Sequence, residues 1–219
     1  MKPLVAETQD VRTLQELGRA SVQIVHDLKN QLNGLKLYAT FLRKRMEKSE
    51  RPADEQETIG KLIAGLERAA SDMTALVRYG RPIELRRQAG IDLVKIVADV
   101  AMSEGIYFEA ATPAIEGELD AAAITEALKT ITTAAIHLGQ ADGNEALLIH
   151  LGKDEAANAP TALIEWRGVK AKDSDDPFHS FAGSDALRMS LAAKIIEAHG
   201  GEAAPAMNTL RVRLPLKNR

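Results

Sequence analysis

The sequence predicts an α+β protein in two parts: an N-terminal helical hairpin that pairs into a dimeric four-helix bundle, and a C-terminal mixed α/β domain. Three observations predict it. Apolar residues recur at three- and four-residue steps up to about residue 80. That pattern breaks at Pro52 and again at Gly80-Arg81-Pro82. Beyond Gly90, short strand-like runs alternate with helical ones. The domains this implies are residues 1–82 and 83–219.

The first helix spans about Val11 to Lys48, with Leu14, Leu17, Ile24, Val25, Leu28, Leu32, Leu35, Tyr38, Leu42 and Met46 at helical spacing. It stops before Pro52, which disfavours helix at Arg51, and Asp54 can cap the next helix. The second stripe runs through Ile59, Leu62, Ile63, Leu66, Ala69, Ala70, Met73, Leu76 and Val77 to the Gly80 break. Two helices cannot bury both stripes against one another alone. The hairpin therefore packs on a second copy in a homodimer or, alternatively, on the rest of its own chain.

In the second part, Ile91 to Met102 reads as a helix, Ile106 to Ala111 as a strand, and Asp120 to Leu138 as a helix capped by Asp120. Strands follow at Ala146 to Leu151 and Ala162 to Arg167, then an exposed polar loop at Lys170 to Asp176. A last helix from Asp185 to Ala198 ends at His199-Gly200-Gly201, where glycine can adopt the left-handed cap, and Leu210 to Leu216 forms the closing strand.

Composition narrows the function. The 219 residues are 45% hydrophobic and 27% charged, enough for one sizeable core or two small ones. Residues 1–90 hold 16 basic against 12 acidic side chains, and residues 91–219 hold 12 against 19. Neither part has the dense basic face with interleaved aromatics that nucleic-acid binding needs, so DNA and RNA are set aside. With no cysteine, disulfides, zinc ribbons and thiol catalysis are excluded, and the five histidines include no pair at metal-site spacing. No apolar run is long enough for a bilayer and the first ten residues carry Glu7 and Asp10, which points to a cytoplasmic protein without membrane attachment.

One histidine lies on the wrong face for a core residue. At 100° per residue His26 projects about 160° from Leu28, with Asn30 about 40° round from it one turn on. Gln23 and Asn33 share that polar side, and Asp27 is adjacent. By geometry alone such a histidine is most often merely solvated. However, the run His26-Asp27-Leu28-Lys29-Asn30-Gln31-Leu32 resembles the phospho-acceptor box of sensor histidine kinases, with Gln31 at the usual proline position. Ala186 to Leu191 followed by Lys194 to Gly201 is similar to that family's second glycine box and the helix behind it. Pro177-Phe178-His179-Ser180-Phe181 resembles its phenylalanine box, and Leu214-Pro215-Leu216 its closing strand.

The resemblance implies that His26 is a phosphoryl carrier on a dimerising hairpin. A neutral imidazole nitrogen is a good nucleophile near pH 7, and a phosphoramidate can pass its phosphoryl group to an aspartate. Asp27 would orient the ring or take its proton, and Asn30 would help place a water for dephosphorylating the partner. Gln23, Lys29 and Asn33 would belong to the surface that meets a response-regulator receiver domain.

It also implies a kinase-type α/β sandwich (Bergerat-like) in degenerate form. The helix Leu128 to His137 aligns with the family's asparagine box, and Ala134 stands where the magnesium-ligating asparagine would be. Ile164-Glu165-Trp166-Arg167-Gly168-Val169-Lys170 lacks the adenine-binding aspartate. Ala186 and Arg188 replace glycines of the lid. Glu165 or Asp173 could substitute for the missing acid, and Arg188 could meet a phosphate. The expectation is no cofactor, neither ATP nor magnesium. The activity expected is a cytoplasmic histidine phosphotransferase in a two-component phosphorelay. The alternatives are an ATP-dependent kinase with a diverged site and a non-catalytic adaptor. Of the remaining residues, His199 reads as a helix-end side chain, Trp166 as core or pocket wall, and Met102, Met189 and Met207 as scattered fillers. His137, His150 and His179 have no partner visible in the sequence.

Overall fold

The computed structural model describes Val25 and residues 28–44, 46, 53–139, 146–154, 159–169, 176–180 and 184–216. The chain divides into two compact units, Met1–Pro82 and Ile83–Arg219. No helix among the described residues is long and apolar enough to cross a membrane.

In the first unit residues 28–44 are helical (α1), and α2 spans Ala53–Tyr79, beginning one residue ahead of the expected cap Asp54. Lys36 Nζ meets Glu67 Oε1 at 2.8 Å across the two helices, which sets their antiparallel register. Ala39, Ile63 and Ala75 are buried in the hairpin. The α1 stripe is not buried as one band. Val25, Leu32 and Met46 are half-buried, whereas Leu28, Leu35 and Leu42 are 40%, 54% and 51% exposed.

The second unit contains β1 (Gln88–Asp92), α3 (Leu93–Glu104), β2 (Tyr107–Ala110), β3 (Glu116–Leu119), α4 (Ala121–Gly139), β4 (Leu148–Lys153), β5 (Thr161–Arg167), α5 (Ser184–Ala198), β6 (Glu202–Ala206) and β7 (Thr209–Pro215). Five strands form one sheet in the order β2-β4-β5-β7-β6, parallel only between β2 and β4, while β1 and β3 pair separately. Ile149 and Leu151 of β4, Ile164 and Trp166 of β5, and Leu210, Val212 and Leu214 of β7 are fully buried at alternate positions. They meet Val97 of α3, Ile124, Leu128 and Ile131 of α4, and Ile196 of α5, also fully buried. The result is a two-layer sandwich whose core side chains each contribute about 1.5–3 kcal/mol by leaving water.

The caps explain the element ends. Asp92 Oδ1 accepts the Val94 N–H at 3.0 Å, so α3 starts at Leu93, two residues later than the apolar pattern begins. Asp120 Oδ1 accepts the Ala123 N–H at 3.0 Å and caps α4 as expected. Gly200, at φ +82°, takes the left-handed turn after α5. Three strands depart from the expectation, which left β1, β3 and β6 out. β1 and β3 are Gly-bearing segments with acidic residues and little apolar signal, and β6 contains Pro205. Proline is tolerated there because β6 is an edge strand.

Candidate functional site

On the hairpin, His26, Asp27 and Gln23 lie outside the described residues. Asn30 and Asn33, three residues apart and so neighbours on α1, are both exposed; Lys29 is half-buried. Three of the six expected site positions are thus described, and two of them share an exposed face.

In the second unit the chemistry-bearing positions converge on a cleft of about 680 Å³ between α4, α5 and the segment 176–180. Ala134, His137 and Leu138 form the α4 wall, Asp185, Ala186 and Met189 the α5 wall, and Asp176, Pro177, His179 and Ser180 the third side. An adjoining recess adds Glu104, Lys129, Thr130, Thr133 and Arg188. Ala134 lines both, Ala186 the cleft and Arg188 the recess, so α4 and α5, far apart in sequence, bring the three positions to adjoining cavities. Phe178 is fully buried beneath the segment, and Ser190 Oγ donates to the Ser180 carbonyl at 2.8 Å, tying the segment to α5.

Several side chains differ from their expected roles. His179 has partners: Nδ1 is 2.6 Å from Asp176 Oδ2 and Nε2 is 3.6 Å from Glu197 Oε1. The Asp176 hydrogen bond, opposed by partial burial and aided by Glu197, raises its pKa above the ordinary histidine value. His137 Nδ1 is 3.9 Å from Asp185 Oδ2, across from α4 to α5. Neither pair is signalled by a motif: Asp176 and His179 are three residues apart in a turn, and His137 and Asp185 meet only because α4 packs on α5. His150 Nδ1 is buried without a hydrogen bond, 4.0 Å from Glu165 Oε2. Met102 and Met207 are 77% and 80% exposed and fill nothing; only Met189 is buried.

Glu165 does not stand in for the missing acid. Ile164 and Trp166 face the helices, so Glu165 between them faces the other side of the sheet. There it accepts from Arg167 Nη2 and Arg211 Nε, both at 2.7 Å. Burial pushes its carboxyl up, and the Arg167 and Arg211 guanidinium groups more than offset that, leaving the pKa below the ordinary value. Trp166 is core, as expected, with Nε1 donating to Thr132 Oγ1 at 2.9 Å. Asp173 lies outside the described residues.

No protein-family profile matches the chain, and no characterised protein sequence is significantly similar. Solved structures do match. Full-length ShkA in complex with AMPPNP superposes with a TM-score of 0.69 at 15% identity, covering 90% of this chain and 45% of that one. Histidine kinase ThkA in complex with the response regulator protein TrrA gives 0.60 at 17% identity, covering 96% and 65%. The Acinetobacter baumannii histidine kinase AdeS gives 0.55 at 15% identity, covering 86% and 97%. The fold is that of the histidine kinases. The chain spans less than half of the ShkA chain and about two thirds of the ThkA chain.

Within this histidine-kinase fold, the chemistry of the cleft is limited by its donors. At Ala134 a methyl group faces the cavity, and a methyl group cannot ligate a hard cation. Among the described residues no group of three or more His, Asp or Glu is arranged to hold a metal ion. The acids on the rim, Asp176 and Asp185, already face His179 and His137. Lys129 and Arg188 supply cationic lining in the recess, with Arg188 Nη1 4.0 Å from Asp185 Oδ1. Among the described residues the cleft and its recess thus offer charged side chains of both signs but no cluster of metal-ligating groups.

Proposed function

We propose that the chain is a histidine phosphotransferase of a two-component phosphorelay, carrying a phosphoryl group on His26 between receiver-domain aspartates, with ATP use lost. The observation that carries this reading is the histidine-kinase fold together with a cleft lined by Ala134 and Ala186 and an adjoining recess lined by Arg188. A ring nitrogen of neutral His26 attacks the phosphorus of an aspartyl phosphate. The P–O bond breaks, the aspartate leaves as carboxylate, and the imidazole proton passes to Asp27. Transfer to a second aspartate is the same step reversed. Asn30 and Asn33, on their shared exposed face, belong with Gln23 and Lys29 to the receiver-docking surface. The complex of ThkA with a response regulator supports receiver domains as the partners.

The exposed leucines support a homodimer through the hairpin. With Lys36 opposite Glu67, Leu28 falls within a residue of the level of Leu76, and Leu42 within a residue of Leu62. These four side chains are 40–52% exposed at heptad-related positions, the pattern of a four-helix seam awaiting its other half.

The volume of the cleft favours one rival, an ATP-dependent kinase with a rebuilt site, since pockets of this size hold small ligands. Incubation with magnesium and γ-labelled ATP separates the two. We expect no alkali-stable label on the wild type; label that disappears in His26→Ala would establish the kinase instead.

A further inference from the structure

The irregular segment that leads into the second unit is held at two points, and both converge on one buried histidine. The Arg86 N–H donates to Asp120 Oδ2 at 2.8 Å, and Arg87 Nη2 donates to the Ala198 carbonyl at 2.7 Å. His199, only 2% exposed, sits between these anchors. Its Nδ1 is 2.8 Å from the Ile195 carbonyl, and its Nε2 is 3.1 Å from the Asp120 backbone nitrogen. A carbonyl only accepts and an amide N–H only donates, so the proton is on Nδ1 and Nε2 is the acceptor. The ring is neutral, with both nitrogens committed. It cannot retreat readily. His199 N–H donates to Ile196 O at 3.0 Å, Gly200 turns the chain at positive φ, and a Cβ at Gly201 would lie 2.2 Å from the Arg213 carbonyl.

We propose that His199 is a proton-operated latch on the segment that leads into the second unit: neutral, it holds the Asp120 cap and through it Arg86; protonated, it releases the Arg86 anchor. Protonation places an N–H on Nε2 against the Asp120 N–H, two donors head to head. The charged groups facing the ring are the Arg87 guanidinium from the connector, which opposes the imidazolium, and the Asp120 carboxylate from the α4 cap, which favours it. The nearest acid on α5, Glu197, is 3.6 Å from His179 instead. If the Asp120 carboxylate swings to meet the new N–H, it leaves the Arg86 and Ala123 amides. Either route frees the Arg86 anchor; the Arg87 bond to the Ala198 carbonyl involves neither the ring nor Asp120.

Burial, aided by Arg87, holds the His199 pKa below the ordinary value of 6.5. The latch energy is therefore fully present above about pH 6.5 and is lost as the pH falls through the lowered folded value. Amide hydrogen exchange of the full chain, read by NMR as protection factors, tests this. On acidification from about pH 7.5 to pH 5.5 the Arg86 and Asp120 amides should lose up to about tenfold in protection, while β4 and β5 amides stay unchanged. In His199→Gln that pH dependence should vanish. If that variant fails to fold, Arg87→Gln removes the opposing cation and should move the wild-type transition to higher pH. Flat protection in the wild type, an unchanged transition in His199→Gln, or an unmoved one in Arg87→Gln would overturn the proposal. The latch does not depend on phosphotransfer, so its failure leaves that reading intact.

Discussion

At the scale of single residues, the second unit is specified by buried polar groups that have found partners. Trp166 is the largest side chain of the core, and its indole N–H has Thr132 Oγ1 as acceptor from the facing helix. Replacing Thr132 with valine keeps the volume and strands the donor, which costs about 1–3 kcal/mol for a buried unsatisfied group. Thr132→Val should therefore lower the urea midpoint with an unchanged m-value. A midpoint equal to wild type would show that the bond contributes nothing net. Glu165 follows the same rule on the other sheet face, where two arginines keep its buried carboxyl ionised. In the sequence this residue looks like a candidate acid beside the nucleotide site. Strand alternation, which sets it opposite Ile164 and Trp166, is the fact that removes it, and it could be applied only once the strand's buried face was known.

At the scale of elements, the two helices of the hairpin leave a row of leucines uncovered, and a prediction follows for that row. Leu35 is 54% exposed in the hairpin and lies midway between Leu28 and Leu42. Leu35→Asp puts a carboxylate into the proposed dimer seam without touching the buried Ala39, Ile63 and Ala75. Its dimer dissociation constant should rise at least about a hundredfold, which is roughly 2.7 kcal/mol. Sedimentation equilibrium checks it, and an unchanged dimer mass would contradict the bundle. The helices and the strands β2, β4, β5 and β7 were legible because their apolar residues repeat at helical or strand periods. Strands β1, β3 and β6 were not. Gln88-Ala89-Gly90-Ile91-Asp92, Glu116-Gly117-Glu118-Leu119 and Glu202-Ala203-Ala204-Pro205-Ala206 carry too little apolar signal, and tertiary pairing alone makes them strands. The stripe of α1 was legible as a whole, but which edge of it the hairpin buries depends on the register set by Lys36 and Glu67.

At the scale of the whole molecule, a helical hairpin precedes a sandwich, the chain has the histidine-kinase fold, and among the described residues no group of three or more His, Asp or Glu could hold a metal ion. Part of the candidate site was readable from motif positions, since Ala134 and Ala186 meet in the cleft and Arg188 lines the recess beside it. The histidine–acid pairs around it were not, because His137 and Asp185 are brought together only by the packing of α4 on α5. On the proposed reading, a phosphorylated protein rather than a nucleotide is the source of the phosphoryl group. The most direct measurement is transfer from a purified receiver domain, phosphorylated on its aspartate, to the full chain in the absence of ATP. The account predicts alkali-stable, acid-labile label on the wild type and none on His26→Ala. Equal labelling of the two proteins, or none on either from any phosphorylated receiver of its two-component system, would contradict it.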